Sequence, residues 1–405
     1  MHSRSSQSDS RIPELDGIRG LAILLVVLYH YYYLPFTPAH GLAAFIRNGT
    51  ALSWTGVDLF FVLSGFLIGG ILIDHRDSEN YFKSFYIRRI CRILPIYFLW
   101  LALFFIVARI FSASASTTWY AMEFGQVPHC PKWGYFLFLQ NFYMAKMNDF
   151  GGYWIGVTWS LCIEEHFYLL APLAIWLVPR RKLPAVLVLL VLLTLVLRFI
   201  LYLYCPSIFL YPFSPCRADG LLLGVLCACL VRNVSFCDWA GRKRDWLYLA
   251  FALLFCGMVW LTVFSSGWTW TATMNSFEMA TAGYTWIDVF YACFILIVVT
   301  VKTGMLAGAM RSRWLRHFAT ISYCIYLIHV GVQGLMYHWI LGNDSARTFL
   351  DVVANLLAFL MTWLLAVLSW RFLEKPIIDW GHSFVYRVRK IPAQNETPEK
   401  KTEPN

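Results

Sequence analysis

The chain has 405 residues, 59% of them hydrophobic and 14% charged, with a mean hydropathy of +0.58. Soluble globular domains carry about 25% charged residues, so a soluble enzyme is excluded. The 18% aromatic content fits a polytopic membrane protein whose Trp and Tyr gather at the interfaces. The net charge of +10 fits Lys and Arg collected on one side of a membrane; no basic patch is interleaved with a reading motif, so nucleic acid is not an expected partner.

About 20 apolar residues cross the hydrocarbon core as a helix. Ten candidate spans follow in order, at roughly 17–35, 52–73, 93–111, 159–178, 184–204, 218–232, 247–264, 285–302, 319–341 and 351–372. The sixth is short. The stretch WGYFLFLQNFYMA, residues 133–145, cannot span and reads as re-entrant or interfacial. The first span is long and lacks a small-residue cleavage site, which predicts a permanent helix rather than a leader. With a cytoplasmic N-terminus, most Lys and Arg fall inside, against Arg47, Lys132, Lys146, Arg217 and Arg347 outside. That asymmetry predicts both termini in the cytoplasm.

The expected organisation is a cytoplasmic tail over 1–11, a transmembrane domain over 12–384 and a polar, Pro-containing tail over 385–405 that should be disordered. There is no inverted repeat of the transporter kind. The 11 cysteines include no metal-type CxxC pair and mostly lie in apolar segments. Cys205 and Cys216 share an outer loop, where an oxidising compartment could pair them. No metal and no tightly bound cofactor are expected.

Ionisable groups are costly at membrane depth and mark function by default. In LDGIRGLAILLVVLYHYYYLPF, Arg19 and His30 are 11 residues apart, which leaves them about 20° off a common line and about 16 Å apart on an ideal helix. Arg19 would sit at the cytoplasmic end and His30 in the outer half. A core histidine and a snorkelling arginine would be the plain alternatives. The second span, GVDLFFVLSGFLIGG, carries Asp58 and Ser64. The fourth begins WSLCIEEHFYLL, with Glu164 and Glu165 about 7–9 Å below Trp159, a depth comparable to His30. Arg217 and Asp219 open the sixth, where a structural ion pair and a functional site are equally served. Tyr323, Tyr326 and His329 share one face of the ninth. A carboxylate near an imidazole is the unit of general base catalysis. Arg88, Arg89 and Arg92 cluster just before the third span. They set topology or, with Arg19, hold phosphate oxygens; neither GxxxxGK[ST] nor GxGxxG is present.

These residues together resemble the acyltransferase 3 family of membrane-bound O-acyltransferases. LDGIRGLA with its later histidine, GVDLFFVLSGFLI, RRICRILPIY, WSLCIEEHFYLLAP, RADGLLLG, ISYCIYLIH and RFLEKP stand in that family's order across residues 12 to 380. The resemblance implies an all-α bundle of about ten spans in the cytoplasmic (inner) membrane. It implies an acyl-CoA donor, acetyl-CoA foremost, bound from the cytoplasm, and a hydroxyl acceptor on an extracytoplasmic envelope glycan or glycolipid such as lipopolysaccharide or exopolysaccharide. The family's essential arginine and histidine map onto Arg19 and His30, its invariant acid onto Glu164, and its arginine cluster onto Arg88, Arg89 and Arg92. Asp16, Asp58, Ser64, Trp159, Ser160, Glu165, Arg217, Tyr323, Tyr326 and His329 are expected to support the channel. His166 stands where glutamine is commoner. The SGNH-type domain fused to some members is not expected here, so the acyl group would pass directly or through a separate extracytoplasmic partner.

The expected mechanism has the arginines holding the nucleotide phosphates, the pantetheine arm inside the bundle, and His30 as general base or acyl carrier, oriented by Glu164 or Asp219. The outer loops 112–158 and 265–284 should select the acceptor. A proton-coupled transporter or flippase of envelope precursors is the alternative function, because buried His, Asp and Glu also build proton relays.

Overall fold

The structure is a computed structural model and describes residues 12–34, 42–114, 118–125, 130–205, 207–264, 276–341 and 349–387. The expected tails at 1–11 and 388–405, Arg347 and residues 265–275 of one selecting loop lie outside the described residues. Within them the regular elements are helices.

Pro13 in the first turn and Glu14 and Asp16 behind it start α1 (Pro13–Leu28). A ring without an N–H and acids at the positive helix end both suit that position. A π-helical turn, Tyr29–Tyr33, continues α1. Then come α2 (Gly56–Asp74), α3 (Tyr81–Ile110), α4 (Thr158–Leu177), α5 (Leu183–Tyr204), α6 (Ala218–Leu230), α7 (Val234–Arg242), α8 (Arg244–Val259), α9 (Tyr284–Thr300), α10 (Arg313–Met336), α11 (Phe349–Ser369) and α12 (Lys375–His382). Nine stretches of the described residues are long and apolar enough to cross a membrane, or ten if the bent pair α6–α7 counts as one. That pair is the short sixth span. It turns by 94° because Asn233 caps a new helix, accepting from the amide of Phe236.

Two expected boundaries shift. The third span starts at Tyr81, so Arg88, Arg89 and Arg92 ride on α3 rather than precede it. Residues 133–145 form two short helices, Lys132–Phe136 and Gln140–Met147, separated near Phe138 at φ 56°. Gln140 reaches Thr158 Oγ1 at 3.1 Å and Asn141 reaches the Pro212 carbonyl at 2.9 Å, so the segment caps the bundle. Cys205 and Cys216 are both free thiols.

Contacts between chain ends define one face of the bundle. Arg311 pairs with Glu14 at 2.6 Å and Arg180 with Asp77 at 2.8 Å. The amide of Glu79 donates to the Arg387 carbonyl at 3.0 Å, and Asn80 donates to the Val385 carbonyl at 2.9 Å. The start of α1, the turns after α2 and α4, the start of α10 and the segment after α12 therefore share this terminal face. Residues 385–387, expected within the disordered tail, are pinned here.

Small residues let the spans approach backbone to backbone, the usual device where lipid offers no hydrophobic drive. A Cβ on Gly65 of α2 would lie 2.0 Å from the Leu221 carbonyl oxygen, and one on Gly224 of α6 would lie 2.1 Å from that of Val62. The contact is reciprocal and has no flexible atom to yield. Gly65→Val or Gly224→Val should therefore lower the melting temperature in detergent by an amount equivalent to about 1–3 kcal/mol or more. Gly241→Ala, where nothing lies within 4 Å of the added carbon, should not.

Candidate active site

A cavity of about 200 Å³ opens among α1, α2, α3, α4 and α10. Arg19, Arg89 and Arg92 line it together with Glu164, Ser64 and Tyr168 and with Ser160, Ser322, Tyr323 and Tyr326, over apolar walls from Val57, Phe60, Leu67 and Ile93. Arg19 lies within two turns of the start of α1 and Arg89 and Arg92 within about three of the start of α3, so these arginines lie toward the terminal face. At about 200 Å³ the cavity is smaller than the roughly 300–1,000 Å³ of sites that engulf drug-sized ligands. It suits a slender arm better than a whole nucleotide.

The lining contains a built hydrogen-bond set. Ser64 donates to Glu164 Oε1 at 2.7 Å and Tyr168 donates to Glu164 Oε2 at 3.2 Å. Arg19 and Arg92 supply positive potential to Glu164, and Arg89 does so for Glu165. Arg19 Nη1 stands 3.8 Å from Asp16 Oδ1, one residue-turn away on α1. The Arg89 guanidinium lies 5.9 Å from the Tyr168 ring centre. Arg88 points elsewhere: its Nε donates to the Phe384 carbonyl at 3.1 Å, and its guanidinium lies 5.0 Å over Tyr386. Of the expected arginine cluster, Arg19, Arg89 and Arg92 reach the cavity and Arg88 fastens the segment after α12.

Also in the lining, Ser160 and Tyr326 are joined hydroxyl to hydroxyl, and Tyr326 also donates to the Val157 carbonyl at 2.8 Å. One turn along α10 from Tyr326 is His329, whose Nε2 stands 3.2 Å from Nδ1 of His30. The two rings are edge-on, 4.8 Å between centres. His30 sits in the π turn, an element often found at functional positions. Its carbonyl accepts from Gln333 at 3.4 Å, and that of Tyr31 accepts from Asn355 at 2.8 Å. Pro35, which follows the turn, has no N–H to offer either carbonyl.

The expected carboxylate partner of His30 is corrected here. Among the described residues neither Glu164 nor Asp219 hydrogen-bonds His30; Glu164 is committed to Ser64 and Tyr168. Asp219 is sealed in a separate cluster, paired with Arg198 at 2.7 Å and accepting from Thr285 at 2.5 Å. Asp58 pairs with Arg217 beside it. All four side chains have 0% exposure. Arg217 also lies 4.2 Å over the Tyr284 ring. Arg217 and Asp219 thus each sit in a buried ion pair, with Asp58 and Arg198 respectively and not with each other. Gly220 leaves the space that the Asp288 carboxyl fills, 2.7 Å from where a Cβ would stand. Trp159 packs on Phe61 and Tyr211 and does not line the cavity. Asp288, Tyr168, Gln333 and Asn355 were not singled out from the sequence. Asp288 had a usable signal, a lone acid inside the apolar run YTWIDVF.

The apolar bundle thus holds a cavity lined by three arginines and several hydroxyls, with a histidine pair next to Tyr326. The acyltransferase domain of the acyltransferase 3 family matches residues 12–371. The chain belongs to that family. It is 30% identical over 397 residues to YrhL of Bacillus subtilis (strain 168), whose name gives it provisionally as a peptidoglycan O-acetyltransferase, covering 95% of this chain and 57% of that one. It is 27% identical over 391 residues to the peptidoglycan O-acetyltransferase OatA of Listeria monocytogenes serovar 1/2a, covering 93% and 57%. To the O-acetyltransferase OatA of Staphylococcus aureus (strain NCTC 8325 / PS 47) it is 24% identical over 387 residues, covering 94% and 59%. The chain thus spans less than two thirds of the length of these relatives. No solved structure matches it.

Glu164→Leu removes the acceptor of two cavity hydroxyls and should cost about 1–3 kcal/mol of stability, read as a lower melting temperature in detergent. Glu164→Gln, which keeps an acceptor oxygen, should cost less.

Proposed function

We propose that this protein is an integral membrane O-acetyltransferase that moves an acetyl group from acyl-CoA to a hydroxyl of an extracytoplasmic envelope glycan. The observation that carries this reading is the cavity itself. Guanidinium groups of Arg19, Arg89 and Arg92 lie toward the terminal face, and the lining residue Tyr326 packs beside His329, which meets His30. The terminal face is the cytoplasmic one in this reading, supported by its Lys and Arg: Arg76, Lys83, Arg180 to Lys182, Arg311, Arg313 and Arg316. The inner membrane is the corresponding location. The names of the relatives bring peptidoglycan forward as the acceptor class.

In this mechanism the three arginines bind the donor phosphates through charge-assisted forks. The pantetheine arm occupies the narrow cavity and presents the thioester toward His30. The imidazole of His30 takes the proton of the acceptor hydroxyl as the oxygen attacks the thioester carbonyl. The C–O bond forms, the C–S bond breaks, and the proton passes from His30 to the departing thiolate. Ser64, Glu164, Ser160 and Tyr326 orient the arm along the cavity. A separate extracytoplasmic partner is an optional second acceptor, and an acyl-histidine is a covalent variant of the same step.

Purified protein given radiolabelled acetyl-CoA and a peptidoglycan fragment should form an acetyl ester, and His30→Ala should reduce the rate on the order of 10²–10⁴-fold. Full activity in His30→Ala, or glycan flux that needs no acyl-CoA, overturns the reading in favour of transport. Label trapped on His30 with donor alone would select the covalent variant. Arg19→Gln, Arg89→Gln and Arg92→Gln should each raise the donor KM about 10-fold or more, from the loss of one charged hydrogen bond. Arg88→Gln, which faces the segment after α12, should change it less.

A further inference from the structure

We infer that His329 is the positioning residue that fixes the tautomer of His30 and shares the charge it acquires; this rests on the reading of His30 as the base. The argument begins with carbonyl oxygens, which can only accept hydrogen bonds. Nδ1 of His329 stands 3.0 Å from the Ile325 carbonyl oxygen and 2.8 Å from that of Tyr326. That nitrogen therefore carries a hydrogen. In the neutral ring the lone pair is then on Nε2. His329 is 0% exposed, so no water competes for that lone pair.

Nδ1 of His30 lies 2.9 Å from the Val26 carbonyl oxygen and 3.2 Å from the bare Nε2 of His329. Both neighbours are acceptors, so this Nδ1 also carries its hydrogen and divides it between them. The basic lone pair of His30 is consequently on Nε2, which has no hydrogen-bond partner among the described residues, on a ring that is only half-buried. His329 fills the place that a carboxylate occupies in a Ser-His-Asp triad. It does so without adding a negative charge to an apolar interior, where a lone carboxylate is costly. When Nε2 of His30 accepts the acceptor's proton, the Nδ1–H bond to His329 becomes a charge-assisted one and strengthens.

The arrangement is held without the His329 side chain. The hydroxyl of Tyr31 donates to the main-chain carbonyl of His329 at 2.8 Å, and Gln333 donates to the carbonyl of His30. Replacing the imidazole should thus alter the tautomer while leaving the two backbones in register. Glutamine at 329 can return an acceptor oxygen near the position of Nε2; leucine cannot.

The test uses the full chain in lipid nanodiscs with ¹⁵N-labelled histidine, the His30 resonances being assigned by their loss in His30→Ala from the spectrum of the 10 histidines. Wild-type His30 should show a protonated Nδ1 and a bare Nε2. His329→Gln should keep that tautomer and remain within about fivefold of the wild-type kcat. His329→Leu should mix the tautomers and lower kcat on the order of 10–100-fold, part of the general-base contribution, with the donor KM within about twofold. A proton on Nε2 of wild-type His30, or wild-type kcat in His329→Leu, overturns the inference. If the leucine variant does not fold, the glutamine variant still decides: a loss of kcat beyond about tenfold there overturns the inference, because the Val26 carbonyl by itself also accounts for the wild-type tautomer. Activity retained in His30→Ala removes the reading of His30 as base; loss there with full activity in His329→Leu removes this inference alone.

Discussion

Charge inside an apolar bundle must be matched or left at a surface, and the rest of the architecture follows from how this chain does both. Asp58 with Arg217 and Asp219 with Arg198 are matched in pairs with no exposed side-chain surface. They join α2, α5 and the start of α6, with Thr285 bonding in from α9. Such pairs add little net stability, because desolvation offsets most of the attraction, but loss of one partner is severe. They fix which helices are neighbours. The close packing of Gly65 and Gly224 along α2 and α6 then follows from the same register.

Arg19, Arg89 and Arg92 represent the other solution. They line a hollow that holds Glu164 as the one carboxylate in its described lining, with Asp16 3.8 Å from Arg19 and with Glu165 and Glu374 within electrostatic reach of Arg89 and Arg92. These guanidinium groups border a hollow instead of being sealed against a carboxylate on all sides. The contrast with the sealed pairs separates an arginine locked in a buried ion pair from one that lines a cavity, even though both kinds lie in spans and both were equally visible as letters.

That contrast also shows where a sequence stops being informative. Arg19, His30 and Glu164 were legible because an ionisable residue in an apolar run is costly and depth can be counted at 1.5 Å per residue. Depth, however, gives no lateral neighbour. Asp219, expected near the outer face as a candidate to orient His30, is placed by the fold with Arg198 instead. His329 lies 299 residues from His30, and the pairing arises only because α10 packs on α1. The shared-face arithmetic for Arg19 and His30 assumed one uniform helix, yet the helix widens into a π turn at Tyr29. Arg19 lines the cavity and His30 stands one layer beyond it, next to His329. Arg88 was indistinguishable from Arg89 and Arg92 until helix phase on α3 separated them.

One member of the histidine pair, His30, sits in the π turn. In an α-helix each carbonyl at position i is claimed by the amide at i+4. The amide of Leu34 instead reaches back five residues, to Tyr29, at 2.9 Å. The carbonyls of His30 and Tyr31 then need other donors, since Pro35, which is i+5 to one and i+4 to the other, has no N–H to offer. Gln333 and Asn355 supply them from α10 and α11, and they are themselves joined at 2.8 Å. An irregular backbone is tolerated at membrane depth only where neighbouring groups satisfy it. The polar side chains of α10 and α11 thus satisfy the irregular stretch, while Nδ1 of His30 meets the carbonyl four residues back, as Nδ1 of His75 and of His329 also do, and faces His329 on α10. Positioning of the candidate base is consequently a property of three helices together rather than of the first span that carries it.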